Sequence, residues 1–445
     1  MFGYRKQIQT IRTSLLITGF CLFFFSPALA EVKQSFQQGK AAFEQGEFKK
    51  AFSIFQQLVQ QNPGDPELDF LLGRSAYEIG NYETAIFAFE RVLIAQPDAD
   101  RVKLELGRSY FELGEFETAR SSFKTVLEKD PPPNVRSNIE RYLRLIDKAS
   151  QINRLSGIVS LALSYDDNVY FSPIDDQIQT IDQIYTLKGD NATPNEDLVS
   201  QTTLALNHLY RQHPRRPGWL TRLLLYNASY FDEQSLNLNL LSLNTGPLWQ
   251  QGVWQSKLQG TFNYLTLDAE RYLTFAGVEL ETIWQRDSAF GIGLFGSLTH
   301  LNYTTDERDA EQYRLIIKPM WTRKKNRLSI NLGMEWREAQ DDQYTELRTL
   351  LKVGYERQLP RRLILNLGYR LQDSDYDSEA TLFGKKRHDV LHEANLGLSR
   401  ALWTEPNGDG ALIALLNYVI TDTTSNIDLY EYDKQVLSFS LTYLF

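Results

Sequence analysis

Three hydrophobic rhythms follow one another along the chain. Residues 15 to 25 form a nearly unbroken apolar run. From about 32 to 150 apolar residues recur at helical spacing, and from Gly157 onward they alternate with polar ones at a period of two. Arg5, Lys6 and Arg12 precede the first run and Ala28-Leu29-Ala30 follows it, the order of charge, apolar stretch and small residues that marks a cleavable secretory leader. That run is short for the ~20 residues of a membrane-spanning helix, so residues 1–30 are expected to be removed and Glu31 to begin the mature chain. No later window is apolar enough for such a helix, and a chain that crosses a membrane with strands must close them into a barrel.

The helical stretch repeats itself every 34 residues. Gly39, Gly73 and Gly107 are equivalent, as are Gly46, Gly80 and Gly114; Phe48, Tyr82 and Phe116; Ala51, Ala85 and Ala119; Phe55, Phe89 and Phe123; and Pro63, Pro97 and Pro131. Small residues let paired helices approach, aromatic rings fill the space between them, and Pro ends each second helix. This pattern resembles the tetratricopeptide repeat. Residues 134 to 150, with Ile139, Leu143 and Ile146 at helical spacing, are expected to cap the stack.

Carrying the repeat's usual inner-surface positions onto this sequence gives ladders on the first helices: Lys40, Arg74, Arg108; Phe43, Tyr77, Phe111; and Glu44, Glu78, Glu112. Phe36, Phe70 and Leu104 share that face. Apolar and cationic rungs together suit an extended or helical peptide. The alternative is that the rings belong to the repeat's own packing and the charges are solvated.

Beyond residue 152 single strands show their two faces. Val159, Leu161, Leu163 and Tyr165 alternate with small polar residues. Leu328, Ile330, Leu332, Met334 and Trp336 oppose Ser329, Asn331, Gly333, Glu335 and Arg337, and Leu363, Leu365, Leu367, Tyr369 and Leu371 face away from Asn366, Gly368, Arg370 and Gln372. An apolar face against lipid and a charged face against water is the signature of a transmembrane barrel. About 14 such segments run from 157–170 and 198–211 to 361–375, 386–401, 410–421 and 432–445, with turn chemistry at Pro217-Gly218, Gln251-Gly252, Lys324-Lys325, Pro360-Arg361-Arg362 and Pro406 to Gly410. The longest connection, roughly 171 to 197, is acidic. An even count returns both ends of the barrel to one side, expected to be the periplasm. Phe439, Leu441, Tyr443 and terminal Phe445 share a face of the last strand, which resembles the signal read by bacterial barrel-assembly machinery. The fold class expected is therefore an α+β multidomain chain: a leader (1–30), a periplasmic α-solenoid of three repeats with its cap (31–150), and an antiparallel transmembrane β-barrel of about 14 strands (151–445).

Composition sharpens this picture in two ways. Phe (25), Tyr (23) and Trp (7) are abundant, as suits an interface where rings meet both lipid and water. The formal net charge is −9 and becomes −12 once the leader's three cations leave, which disfavours a nucleic-acid partner. Cys21, the only cysteine, lies in the leader. A search for chemistry finds no nucleophile motif and no phosphate loop. His388 and His392 lie ~13 Å apart on one face if they share a strand, too far for one metal. Asp166-Asp167-Asn168 reads as an acidic rim where the first barrel strand ends rather than as a cation site. Neither enzyme activity nor a cofactor or metal is expected.

Leader, short repeat array and barrel, in that order, resemble the surface lipoprotein assembly modifier family of Gram-negative bacteria. The barrel's Tyr165-Asp166-Asp167-Asn168-Val169 is similar to that family's pattern in the first strand, as is Tyr430-Glu431-Tyr432-Asp433 at the entry to the last. The resemblance implies an outer-membrane translocator that takes client lipoproteins or small secreted proteins to the cell surface. Its partners would be the client, periplasmic chaperones, barrel-assembly machinery and outer-membrane lipid. Two other readings remain: export of an exopolysaccharide, which related architectures serve with longer solenoids, and a passive porin.

Overall fold

The structure is a computed structural model that describes residues 26–189, 192–213, 216–406 and 410–445. Most of the expected leader, including Cys21, and parts of two of the expected turns therefore lie outside the described residues. The chain divides into two compact units, Met1–Gln151 and Ile152–Phe445.

The first unit is helical: α1 (Ser26–Glu44), α2 (Phe48–Gln61), α3 (Pro66–Glu78), α4 (Tyr82–Ala95), α5 (Asp100–Glu112), α6 (Phe116–Leu127) and α7 (Pro133–Ser150). The 34-residue period has a steric cause. A Cβ on Gly73 would lie 2.6 Å from the ring of Phe89, and the equivalent approaches are 2.7 Å for Gly39 to Phe55 and 3.0 Å for Gly107 to Phe123. Each repeat thus needs a glycine on its first helix to seat the phenylalanine of its second, and all three rings are buried. Gly80 turns α3 into α4 at φ +78°, a conformation that other residues adopt only with strain. Asp65 caps α3 by accepting from the N–H groups of Glu67 and Leu68, and Asn81 does the same for α4 through Thr84. α7 buries Ile139 and Ile146 against Ala119, Phe123 and Val126.

The second unit is a closed antiparallel barrel of fourteen strands. They are β1 (Asn153–Asp166), β4 (Asp197–Tyr210), β5 (Gly218–Tyr230), β6 (Leu238–Gln251), β7 (Trp254–Leu267), β8 (Glu270–Gln285), β9 (Phe290–Tyr303), β10 (Ala310–Arg323), β11 (Asn326–Ala339), β12 (Glu346–Gln358), β13 (Leu363–Ala380), β14 (Lys385–Thr404), β15 (Ala411–Ser425) and β16 (Tyr432–Leu444). Each pairs with its neighbour in sequence, and β1 closes on β16. Between β1 and β4 the chain forms a small hairpin, β2 (Gln177–Gln179) with β3 (Ile184–Thr186), where the sequence suggested only an acidic connection. Its Ile178 is buried with Phe383 and Ile427 from the tips of other hairpins, so a few apolar residues fold an otherwise polar loop. β13 and β14 run beyond their expected ends because backbone pairing continues to Ala380↔Lys385 although Asp375, Asp377 and Glu379 stand where the apolar set of Leu363 to Leu371 would continue.

Direct cross-strand partners share a face, so the register carries one face around the circle. Leu163 opposes Phe439, Phe439 opposes Leu416, Leu416 opposes Leu398 and Leu398 opposes Leu365. This outer face is exposed and apolar. It is bounded at both ends by rings. Trp254, Trp284, Phe290 and Trp321 form an aromatic chain at the end with short turns, with centroids 5.5–6.4 Å apart, and Trp403, Tyr443 and Phe445 continue it. Tyr165, Tyr313, Trp336 and Tyr369 stand exposed towards the opposite end. Two girdles flanking an apolar band are what lipid on the outside requires.

Candidate functional site

In the helical unit the nine residues expected to form a client groove are all half-buried. Their rings also pack the two helices of each repeat together. Phe43 packs on Phe48, Tyr77 on Tyr82 and Phe111 on Phe116, each first-helix ring against the following helix, with centroids 5.3–5.7 Å apart. Phe36 and Phe70 lean on the buried rings of Phe55 and Phe89, and Leu104 packs on the last core.

The cation ladder is built from the same rings. The Lys40 ammonium lies 4.9 Å from the Phe36 centroid, the Arg74 guanidinium 5.5 Å from Phe43 and that of Arg108 4.5 Å from Tyr77. Carboxylates complete each rung. Lys40 meets Glu67 at 2.7 Å. Glu105 lies between Arg74 at 3.4 Å and Arg108 at 2.7 Å. Burial opposes the charge on Arg108, but Glu105, Tyr77 and Tyr142 around it together outweigh that and raise its pKa, so the cation persists. Tyr77 is pushed well above the usual phenol range, chiefly by burial. The spacing located these residues; it did not reveal that Arg74 and Arg108 each stack on a ring of the preceding repeat. A cleft of about 370 Å³ opens where Leu104 and Arg108 meet Asn138, Arg141 and Tyr142 of α7.

In the barrel the face opposite the apolar one is the lumen wall, and across β10 to β14 it is a network of ion pairs. Arg314 donates to Glu335 at 2.7 Å and Arg348 to the other Glu335 oxygen at 2.9 Å. Arg348 and Arg337 converge on Glu346 at 2.9 and 3.0 Å, and the Glu346 side chain has no exposed surface. Arg370 pairs with Glu393 at 2.9 Å. A second group joins β7, β8 and β10: Glu281 takes Lys257 at 2.5 Å and Lys318 at 3.4 Å. Two recesses of about 280 and 510 Å³ open from this wall, and Lys352 lines both. Alternation within single strands placed Glu335, Arg337 and Arg370 on this face. Which charges meet depends on register between strands, which one strand's sequence does not encode.

The two short motifs come together. Asp166 pairs with Lys434 at 2.8 Å, whose ammonium also donates to the Asn168 carbonyl at 3.0 Å and lies 3.9 Å from the Phe171 centroid. Asp167 accepts from the Gln435 N–H at 2.6 Å. The group is a latch between the end of β1 and the start of β16. Elsewhere, His392 accepts or donates at Tyr369, while His388 faces Asp373 and Asp375 across β13, with the three donor atoms within 4.8 Å of one another. Comparing the two histidines with each other missed that grouping; the Asp-x-Asp spacing on the preceding strand was its only trace. Phe439, Leu441, Tyr443 and Phe445 all lie on the lipid-facing side, Tyr443 donating to Glu405 at 3.2 Å.

Repeat helices followed by a closed, girdled barrel with a charged interior define an outer-membrane barrel protein with a tetratricopeptide domain. The surface lipoprotein assembly modifier family matches residues 211–445, and tetratricopeptide-repeat families match 42–91 and 70–134. The first match spans more than half of the chain, and the chain belongs to the surface lipoprotein assembly modifier family. A search of curated proteins finds no match. Among solved structures, the helical unit is similar to the Sgt2 tetratricopeptide domain from Aspergillus fumigatus, at 20% identity over 27% of this chain and 81% of that one, with a TM-score of 0.25. PcrH from Pseudomonas aeruginosa matches at 20% identity over 26% and 92%, with a TM-score of 0.24. SycD of Yersinia enterocolitica, solved with a peptide of the translocator YopD, matches at 17% identity over 27% and 96%, with a TM-score of 0.25.

Proposed function

We propose that this protein captures client proteins, surface lipoproteins or small secreted proteins, in the periplasm and delivers them across the outer membrane. In this reading residues 1–30 are the leader, residues 31–150 hold the client in the periplasm, and the barrel of residues 151–445 is the passage. Chaperones bring clients still unfolded, and the strand ending at Phe445 addresses the barrel to its assembly machinery. No step needs a cofactor or a catalytic group; folding or trapping of the client outside drives the transfer.

The observation that carries the reading is the ladder of half-buried rings and cations on α1, α3 and α5, joined in one chain to a barrel of this family. Half-buried rings beside cations offer apolar contact and donors to an extended chain at regular intervals. The test is a chain whose leader is joined directly to the barrel, without residues 31–150. Clients should then accumulate in the periplasm while the barrel still inserts; unchanged display of every client would remove the capture step.

A further inference from the structure

β1 is paired unequally on its two sides. Against β4 it is paired throughout, from Asn153↔Tyr210 to Asp166↔Asp197. Against β16 the pairing starts only at Ile158↔Leu444, with one further exchange in which the Gly157 N–H donates to the Phe445 carbonyl at 2.7 Å and the Phe445 N–H to Gly157 at 3.1 Å. In an antiparallel strand every second residue directs both backbone groups to the same neighbour. Since Gly157 directs its pair towards β16, Leu155 and Asn153 do so too. Among the described residues, no strand meets them there. The Phe445 ring lies over Gly157, in space that a Cβ would fill.

The lumen-side residues along most of this seam are small. On the lumen side Ala162 faces Ser440, Ser164 faces Ser438, and Ser160 meets Thr442 through one hydroxyl contact of 2.8 Å. The β10–β14 and β7–β10 walls are tied by ion pairs instead. At the β1–β16 seam the ion pair that the described residues supply is Lys434 with Asp166, at the far end, within the latch. Parting the seam from the Phe445 end upward therefore breaks backbone bonds and small-residue contacts but separates no charges until the latch is reached.

We propose that the β1–β16 seam is where the barrel parts, and that the open edge at Asn153 and Leu155 receives an extended segment of the client as an added strand. The occupant follows from the chemistry of the edge. Unpaired N–H and C=O groups bind any extended polypeptide through its backbone, without demanding a sequence, and a sugar chain offers no matching ladder. The inference rests on the export reading and adds the route.

The test is a reversible lock. Because Cys21 is the chain's only cysteine, engineered thiols in the mature protein would pair only with each other. Ser160→Cys with Thr442→Cys bridges the seam. Ser256→Cys with Thr282→Cys, whose hydroxyls are 3.0 Å apart on β7 and β8, bridges an ordinary strand pair. Each full-length variant is expressed in cells lacking the native gene, oxidised, checked for folded-barrel migration on gels, and scored by labelling surface proteins with a membrane-impermeant biotin reagent. The seam lock should lower display at least tenfold, with recovery on reduction, and the control lock should leave display at the wild-type level. A photoreactive residue at Leu155 should crosslink to the displayed proteins, and one at Leu280, mid-barrel, should not. Wild-type display with the seam locked, equal loss from both locks, or no crosslink at Leu155 would overturn the proposal while leaving export intact. If gene deletion itself changes nothing at the surface, the export reading falls and takes this inference with it.

Discussion

The side-chain amide of Asn168 donates to the backbone carbonyl of Asp433, 2.9 Å away, tying the start of the long β1–β4 connection to the entry of β16. Asn168 is buried, and it also exchanges bonds with Ser172, donating to its carbonyl at 3.0 Å and accepting from its N–H at 2.8 Å. Asn168→Ala would leave these groups unpaired, at about 1–3 kcal/mol each where water does not enter. The barrel should remain folded while residues 171–196 become markedly more sensitive to added protease. Wild-type cleavage rates in the variant would show that the latch does not hold the loop.

Glu346 poses the corresponding question inside the lumen wall. Its carboxylate meets Arg337 and Arg348, and removing one partner of a buried pair costs about 3–5 kcal/mol. Glu346→Gln should lower the temperature at which the folded barrel band converts to the unfolded one on gels. Glu393→Gln, affecting the more exposed pair with Arg370, should lower it less.

For the helical unit, Gly73→Ala pushes a methyl group into the Phe89 ring. Overpacking of this kind costs about 1–3 kcal/mol. Loss of helical circular dichroism on heating should move to lower temperature, and adding Phe89→Leu should recover part of the shift by vacating that space. Additive losses in the double variant would show that the two sites do not share the strain.

The same unit should weaken in alkali. Burial and a hydrogen bond to Glu90 raise the Tyr110 phenol to about 12, and burial raises Tyr82 as well. Below pH 10 these phenols are protonated whether the chain is folded or not, so their contribution is fully present. As pH rises from 10 towards about 12 the unfolded chain ionises first, and that stability is lost. Tyr110→Phe should flatten the decline over this interval, as followed by thermal melting at successive pH values.

How much of this was legible in the sequence depends on the range of the interaction. The repeats were legible because Gly73 and Phe89 sit within one period and recur with it. The two faces of β11 and β13 were legible because lipid and water impose alternation on every residue. The β2–β3 hairpin was not, since three-residue strands such as Gln177–Gln179 carry no period, and Ile178 finds its partners Phe383 and Ile427 more than 200 residues away. The latch was visible as two separate motifs, Asp166-Asp167-Asn168 and Tyr430 to Asp433. Only closure of the barrel between β1 and β16 brings them together. Lys40, Arg74 and Arg108 were found by spacing, but the rings under Arg74 and Arg108 and the Lys40–Glu67 and Arg74–Glu105 pairs were not assigned, because those contacts cross from one repeat to the next.

The central claim is that this chain moves proteins to the cell surface, and labelling surface-exposed protein in cells with and without the gene tests it most directly. The account predicts that deletion removes a small, defined set of proteins from the surface while the same proteins persist inside the outer membrane, and that the intact chain restores them. An unchanged surface set, or a change confined to polysaccharide, would contradict it.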